Sequence, residues 1–571
     1  MRDKENFGQT IAAAVCKCAE GVSSRIARGC SPAHLDVAPT IFRPSPSPEP
    51  LMSQARAKAE GRRSVPSDGR NDSPLPIQLK EQDPGLGGEF WVCTETPYSF
   101  TNQTTSPKHN YYGQIYIPGK PSQLGCVTSG TFPLVVVVHA NGIPNHGADK
   151  YHLQYALLAR HLVSHGYIVV SVNRGISPKD DWEDSLGDLL EETVHFLFTK
   201  HFIRTFLQDS VSVIGHSSGG KRVLEQVWRI AKPINLWDGK KSRSVVAVII
   251  MSCTISNWNQ SAADKVAQNS RAFLGINVVN DSDFDAYGSK APGKEMKSTF
   301  WPYDTIGSIA GTKDLLRVTK DMIFALAPGA GHFYQDRAFV HAFITAFLHR
   351  HVNHSLFYDR FVKLQEVPSS VNQFSDKFFF LHENFQKLSI ANFDGADSRL
   401  SSVIAGNVKI KNVTTFIDDE FSPHVSTALR IDWDRSKPPG SFLPQFVELK
   451  FKTSVNLSNF SFLSFRMTQG YPITTSAGPA FDVLIKIDST NSFVVASKHG
   501  GPIHYPIKAT SPVPMIQPEQ TKTAMHTYLI PLIDFNTSLS AISKIRFDFS
   551  VNPTTPEAKA IFYLGKVEFI S

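Results

Sequence analysis

From about Gly85 to Leu348, apolar runs of strand length alternate with segments whose apolar residues recur at helical spacing. Tyr111–Pro118 (YYGQIYIP) alternates as a half-buried strand does and stops at Pro-Gly. Phe132–His139 (FPLVVVVH) is an unbroken β-branched run, the pattern of a strand covered on both faces of a parallel sheet. Tyr167–Asn173, the run from Val211 into Gly215, Val245–Cys253, Ile306–Ala310 and Met322–Ala327 read as further strands. Between them, Leu153, Ala156, Leu157, Leu162 and Val163 form one helical stripe, and Leu186, Leu189, Leu190, Thr193 and Leu197 form a second. Val223, Leu224, Val227 and Ile230 mark a third, and Phe339, Val340, Phe343, Ile344, Phe347 and Leu348 a fourth. Strand and helix in alternation over this length predict an α/β fold with a doubly wound, mostly parallel sheet.

Beyond about Gln386 the helical periodicity stops. Asn459–Met467, Phe481–Ile487, Thr527–Leu532, Ile545–Val551 and Ala560–Ile570 alternate apolar and polar residues between clusters of Pro, Ser, Asn and Thr, which predicts an all-β sandwich. At the other end, Met1–Lys80 mixes Arg, Pro, Ser and Ala without apolar period and includes FRPSPSPEP, a composition that predicts disorder. The sequence thus divides into a disordered extension over 1–84, an α/β domain over 85–352, a connector over 353–385 and a β-sandwich over 386–571. Phe378, Phe379, Phe380 and Phe385 in the connector are costly to leave in water, so the two folded parts are expected to share packing.

Composition narrows the class. With 41% hydrophobic and 19% charged residues in 571, the chain is that of a globular protein of several domains. The longest apolar runs are strand-sized, so no membrane span is expected. A net charge of +7 without basic runs interleaved with aromatics gives no nucleic-acid surface. Cys93 and Cys126 flank the first strands and can pair if the protein is exported, two unrelated thiols being the other reading. A secreted or extracytoplasmic location is favoured.

The chemistry gathers at Val211–Gly220 (VSVIGHSSGG), which reads as strand, sharp turn and helix with Ser217 at the apex. In such a turn the backbone N–H of the next residue, Ser218, faces the carbonyl under attack, and the helix N-terminus favours the charge that develops there. A serine nucleophile needs a base, and the base an acid to hold its tautomer. Function in doubly wound sheets sits at the carboxyl ends of strands. That rule selects His332, which closes Pro328–His332 (PGAGH) after the last strand, and Asp314, which follows Ile306–Ala310 through Gly-Thr-Lys. Asp264, after the strand ending near Cys253, is the rival acid, while Asp304 and Asp321 precede their strands. The second oxyanion donor is expected from the loop after Phe132–His139, at the N–H of Asn141 or, second to it, Ala140. Trp258 and Trp301 are candidate walls of a substrate pocket, with core packing the alternative role. His341 and His349 are expected to face away from the site. His349, His351 and His354 lack a shared helical face and read as a solvated helix end, with no metal site. No phosphate loop, CxxC pair or dinucleotide fingerprint appears, so no cofactor is expected.

With LARHLVSHGYIVVSVN, GHSSGG and GAGH in place, Gln114–Arg350 resembles α/β-hydrolases of the dienelactone hydrolase, platelet-activating-factor acetylhydrolase and PET-hydrolase type. The resemblance implies hydrolysis of a small-molecule or polymeric ester through an acyl-enzyme, with the acid after the same strand as Asp314. Two positions depart from it. His139-Ala140 stands where those families carry His-Gly, and the nucleophile is a serine where dienelactone hydrolases proper use cysteine. The tail, with MHTYLIPLIDF, is similar to jelly-roll domains of secreted hydrolases, some of which bind carbohydrate. A second reading, from another class, is an inactive hydrolase-fold protein whose β-sandwich recognises carbohydrate or protein.

Overall fold

A computed structural model describes residues 81–101, 110–119, 130–140, 148–173, 189–231, 244–253, 260–278, 303, 306, 318–327, 330–363, 365–371, 377–384, 386–391, 393, 405–411, 414–418, 428–434, 445–470, 482–488, 493–500, 507–508, 521–522, 525–549 and 559–571. The chain falls into two compact units, Met1–Asp72 and Ser73–Ser571. The first lies outside the described residues, and with it most of the extension expected to be disordered. The last residues of that extension depart from the expectation. Asp83 accepts hydrogen bonds from Ser369 Oγ (2.6 Å), Ser370 Oγ (2.6 Å) and Ser370 N–H (2.8 Å), which anchors the chain ahead of the first strand.

The α/β half is built on nine strands: β1 (Trp91–Thr101), β2 (Asn110–Gly119), β3 (Phe132–Val138), β4 (Ile168–Asn173), β5 (Leu207–His216), β6 (Ser244–Met251), β7 (Ala272–Val278), β8 (Thr319–Leu326) and β9 (Lys377–Glu383). They lie in the order β1-β2-β4-β3-β5-β6-β7-β8-β9. The block from β4 to β8 is parallel, and β1, β2 and β9 add antiparallel edges. Helices α2 (Leu189–Thr199), α3 (Ser218–Ala231) and α4 (Gln260–Asn269) share a core with one face of the sheet. On the other face lie α1 (Ala156–Ser164) and α5 (Ala338–His351). Covered on both sides, β3, β4 and β7 are buried at every position. The strand order reverses between β3 and β5, so a crevice at the carboxyl ends is expected there.

Two expected features differ. The place between β6 and β8 belongs to β7, whose Gly275 and Asn277 interrupt the apolar run that would have marked it. Ile306, expected to open a strand, lies in a turn, and 307–317 fall outside the described residues. The segment expected to be a connector supplies β9, where Phe378 packs on Phe339 and Phe343 of α5 at ring distances of 5.6 and 5.3 Å. Phe385 lies outside the described residues.

The C-terminal half is antiparallel. One sheet joins β12 (Thr414–Asp418), β13 (Ala428–Asp434), β22 (Lys559–Ile570), β15 (Phe462–Gly470) and β20 (His526–Pro531), with β10 (Lys387–Ala391) beside β22. A second joins β11 (Ala405–Lys411), β14 (Phe446–Val455), β21 (Ile542–Asp548), β16 (Leu484–Ile487) and β17 (Val494–Val495). Their facing residues bury one core that includes Trp433, Phe465, Phe547 and Phe562. A short ladder pairs β18 (Ile507–Lys508) with β19 (Thr521–Lys522).

The two halves are joined through β9. Its outer N–H groups at Phe380 and His382 donate to His526 Nδ1 (3.1 Å) and Thr527 Oγ1 (3.2 Å) of β20. Beside them, Glu383 meets Lys320 (3.0 Å), Arg466 (3.0 Å), Lys566 (3.2 Å) and Lys387. Burial alone would raise the Glu383 pKa, but these cations outweigh it and hold the carboxyl well below its ordinary value. Ala428, Met525 and Tyr563 complete the seam by entering the core of the α/β half.

A buried histidine belt links the end of α1 to α5. His161 of α1 stacks on His341 of α5 at 5.1 Å, and His165 meets His349 at 5.2 Å. His349 is 2% exposed, so the expected solvated helix end is a packed one. Its Nε2 and Nδ1 lie 3.2 Å from His165 Nδ1 and 2.9 Å from Asn353 Nδ2. Burial first, and then the nearness of the titratable His161 ring, pushes His165 and His341 each down from 6.5 to about 4.

No helix among the described residues is long and apolar enough to cross a membrane. The seam makes truncation costly. Gly85–Phe385 expressed alone should aggregate or melt well below the full chain, because the cut uncovers the β9 edge and strips Glu383 of three cations. Equal melting temperatures would contradict it. The belt sets a pH dependence. Its rings are neutral when folded, so the unfolded chain takes up protons first. Stability should therefore be complete above about pH 6.5 and fall toward pH 4, seen as a lower melting temperature at pH 4.5 than at pH 7.

Candidate active site

β5 ends at His216, and α3 begins at Ser218. Ser217 between them has φ 53°, the left-handed region that a residue with a side chain enters at a cost of about 1–3 kcal/mol. The turn is held from both sides. Ser217 N–H donates to Met251 O (2.8 Å), and Gly220 N–H donates to Ser217 O (2.9 Å). The glycines are there for clearance. A Cβ on Gly215 would stand 2.5 Å from Gly220 Cα, and one on Gly219 would stand 2.4 Å from Val138 O and 2.5 Å from His139 O. Ser217 is 6% exposed, so it is largely covered where β5 passes into α3.

The structure brings His332 to this place. It follows β8 in the segment Ala330–Phe333, half-buried, with its ring 5.2 Å from that of His216. The carbonyl of His332 accepts a hydrogen bond from His216 Nε2 at 2.8 Å. Ser218 opens α3, where the first-turn N–H groups point toward the carboxyl end of β5. Ala140 is described, and its N–H donates to Tyr155 Oη at 3.2 Å, which disfavours it as an oxyanion donor. Asp314, Asn141, Trp258 and Trp301 lie outside the described residues. Asp264 stands on α4, half-buried.

Several contributors escaped the sequence reading. Ser252, also left-handed at φ 43°, donates from Oγ to Tyr334 Oη (2.9 Å), and Tyr334 O–H donates to Ile276 O (2.6 Å). This ties the ends of β6 and β7 to the segment carrying His332. Tyr155 and His216 form a second tie, with Tyr155 Oη 2.7 Å from His216 Nδ1. His216 had a positional signal, since it precedes the apex serine; Tyr155, Ser252 and Tyr334 had none. Cys253 packs behind the elbow, its Sγ 2.9 Å from where a Gly220 Cβ would stand, and burial pushes its thiol pKa well up. Among the described residues no group of three or more His, Cys, Asp or Glu is arranged to hold a metal ion.

No family model and no curated protein matches the chain. Solved structures do. An esterase from Pyrobaculum calidifontis is 12% identical over 46% of this chain and 86% of its own, with a TM-score of 0.31. A serine hydrolase without a lid from Xanthomonas campestris is 12% identical over 44% of this chain and 94% of its own, with a TM-score of 0.28. A lipase/esterase from Lactobacillus plantarum is 12% identical over 33% and 79%, with a TM-score of 0.25.

The elbow's clearance is testable. Gly219→Ala should destabilise the protein by about 1–3 kcal/mol, because its neighbours are backbone carbonyls that cannot turn away. Gly331→Ala, with nothing within 4 Å of its Cβ position, should change the midpoint of chemical unfolding little.

Proposed function

We propose that the protein is a serine hydrolase that cleaves carboxylic esters through an acyl-enzyme on Ser217, with His332 as general base. The observation that carries this reading is the left-handed Ser217 at the head of α3, beside the segment that brings in His332. In the mechanism His332 takes the Ser217 proton as Oγ attacks the ester carbonyl. The N–H groups of Ser218 and Asn141 stabilise the oxyanion, the alcohol leaves with the proton from His332, and water repeats the sequence to release the acid. No cofactor enters this chemistry. The substrate is a small-molecule or polymeric ester, with Trp258 and Trp301 as proposed pocket walls.

Asp314 is the proposed orienting acid. The observed strand order favours a second candidate set, since the carboxyl end next to β8 is that of β7, and the chain leaving β7 carries Asp281, Asp283 and Asp285. Cys93 on β1 is disulfide-bonded, its partner lying outside the described residues, where Cys126 is the proposed one. A disulfide supports an exported location. The inactive alternative, with recognition of carbohydrate or protein by the β half, has no comparable observation in its favour.

Ser217→Ala should abolish hydrolysis of p-nitrophenyl esters and labelling by a fluorophosphonate, with loss of turnover by several orders of magnitude. Activity above about a tenth of wild type would remove Ser217 as nucleophile. Separate Asn replacements at Asp281, Asp283, Asp285 and Asp314 identify the acid: one should drop turnover by about 10⁴ through a misoriented His332. If Asp264→Asn alone did so, the strand-edge rule would fail here.

A further inference from the structure

We propose that Tyr155 and His216 are positioning residues that fix His332 relative to Ser217 through one directed chain of hydrogen bonds. The proposal rests on the serine-hydrolase reading. Four segments meet: the end of β3 at Ala140, the 3-10 turn Ala148–Tyr155, the end of β5 at His216, and the segment carrying His332.

Each direction follows from chemistry. The carbonyl of His332 can only accept, so His216 Nε2, 2.8 Å away, carries a hydrogen. His216 is 0% exposed, and a neutral ring protonated at Nε2 leaves Nδ1 as an acceptor. The Tyr155 hydroxyl, 2.7 Å from Nδ1, must then donate to it. Its oxygen keeps a lone pair for the Ala140 N–H at 3.2 Å. Ala140 N–H, Tyr155 O–H and His216 Nε2–H thus all point toward His332 in head-to-tail order.

The consequence is mechanical. His332 follows Gly331, which has no side chain and open space at its Cβ position, so at that residue no side chain fixes the backbone on the N-terminal side of His332. A bond to the His332 carbonyl from the residue adjoining Ser217 sets the base relative to its nucleophile. The same chain ends on the strand that leads into the proposed oxyanion loop. Its loss should show in turnover more than in substrate affinity, because it governs the alignment of reacting groups.

The test uses the full chain and p-nitrophenyl esters, with active sites counted by a fluorophosphonate. Tyr155→Phe keeps the ring and removes the hydroxyl, His216→Leu removes both ring bonds, and His216→Gln can restore the donor to the His332 carbonyl. Tyr155→Phe and His216→Leu should lower kcat by roughly tenfold or more with KM within about twofold, and His216→Gln should recover most of the loss. Unchanged kcat in both, with Ser217→Ala inactive, overturns this inference and leaves the hydrolase reading standing. An active Ser217→Ala overturns the reading itself and the inference with it. Should the His216 variants fail to fold, 15N shifts of the wild-type imidazole decide: His216 protonated at Nε2 supports the chain, and protonation at Nδ1 overturns it.

Discussion

The site depends on one close approach, that of the first turn of α3 to the end of β3. Gly219 lies against the carbonyls of Val138 and His139 too closely for a Cβ, Gly215 lies as closely against Gly220, and a Cβ on Gly220 would in turn meet Cys253. This clearance lets β5 pass into a helix within a single residue. That residue is forced into a left-handed conformation, which the surrounding parallel strands sustain. Strain and burial therefore coincide at Ser217, the proposed nucleophile. The turn lies beside the reversal of strand order between β3 and β5, where the strand ends diverge, so the site's location follows from topology as much as from the motif.

A different constraint joins the halves. β9 is an edge strand, and an edge normally presents unpaired N–H groups to water. Here His526 and Thr527 accept from it, and Phe379 and Leu381 enter the core shared with Met525 and Tyr563. Glu383 at the end of the strand draws in a lysine from β8, an arginine from β15 and lysines from β10 and β22. A carboxylate so buried is tolerable only with all its partners, which makes the seam specific in register. The β half is in this sense part of the sheet's edge.

Much of the architecture was legible in the sequence. The parallel block, the elbow and its serine, the helix after His332 and the strands β15, β16, β20, β21 and β22 follow from apolar period and from glycine placement. The misses have physical reasons. β7 carries Gly275 and Asn277 in mid-strand, which conceal its apolar run, and the more continuous Ile306–Ala310 drew the assignment instead. β14 buries Glu448 against Arg546 of β21, so its alternation of polar and apolar residues does not report which face is inside. The histidine belt and the Tyr155–His216 contact join residues far apart in the chain, and no local pattern encodes such pairs.

The histidines divide by burial, and burial sorts them by what each is able to do. His165 and His349 are nearly sealed from water, and a charge there would lose its hydration, a loss that at His165 outweighs the pull of Asp83, so burial favours the neutral rings. His216 is sealed as well, with Tyr155 Oη beside its Nδ1 and the His332 carbonyl beside its Nε2. His332 differs in being half-buried. A general base must carry the serine's proton for part of each cycle, which favours the ring that keeps some solvent. A ring held from behind by its own carbonyl can keep that solvent without losing its place.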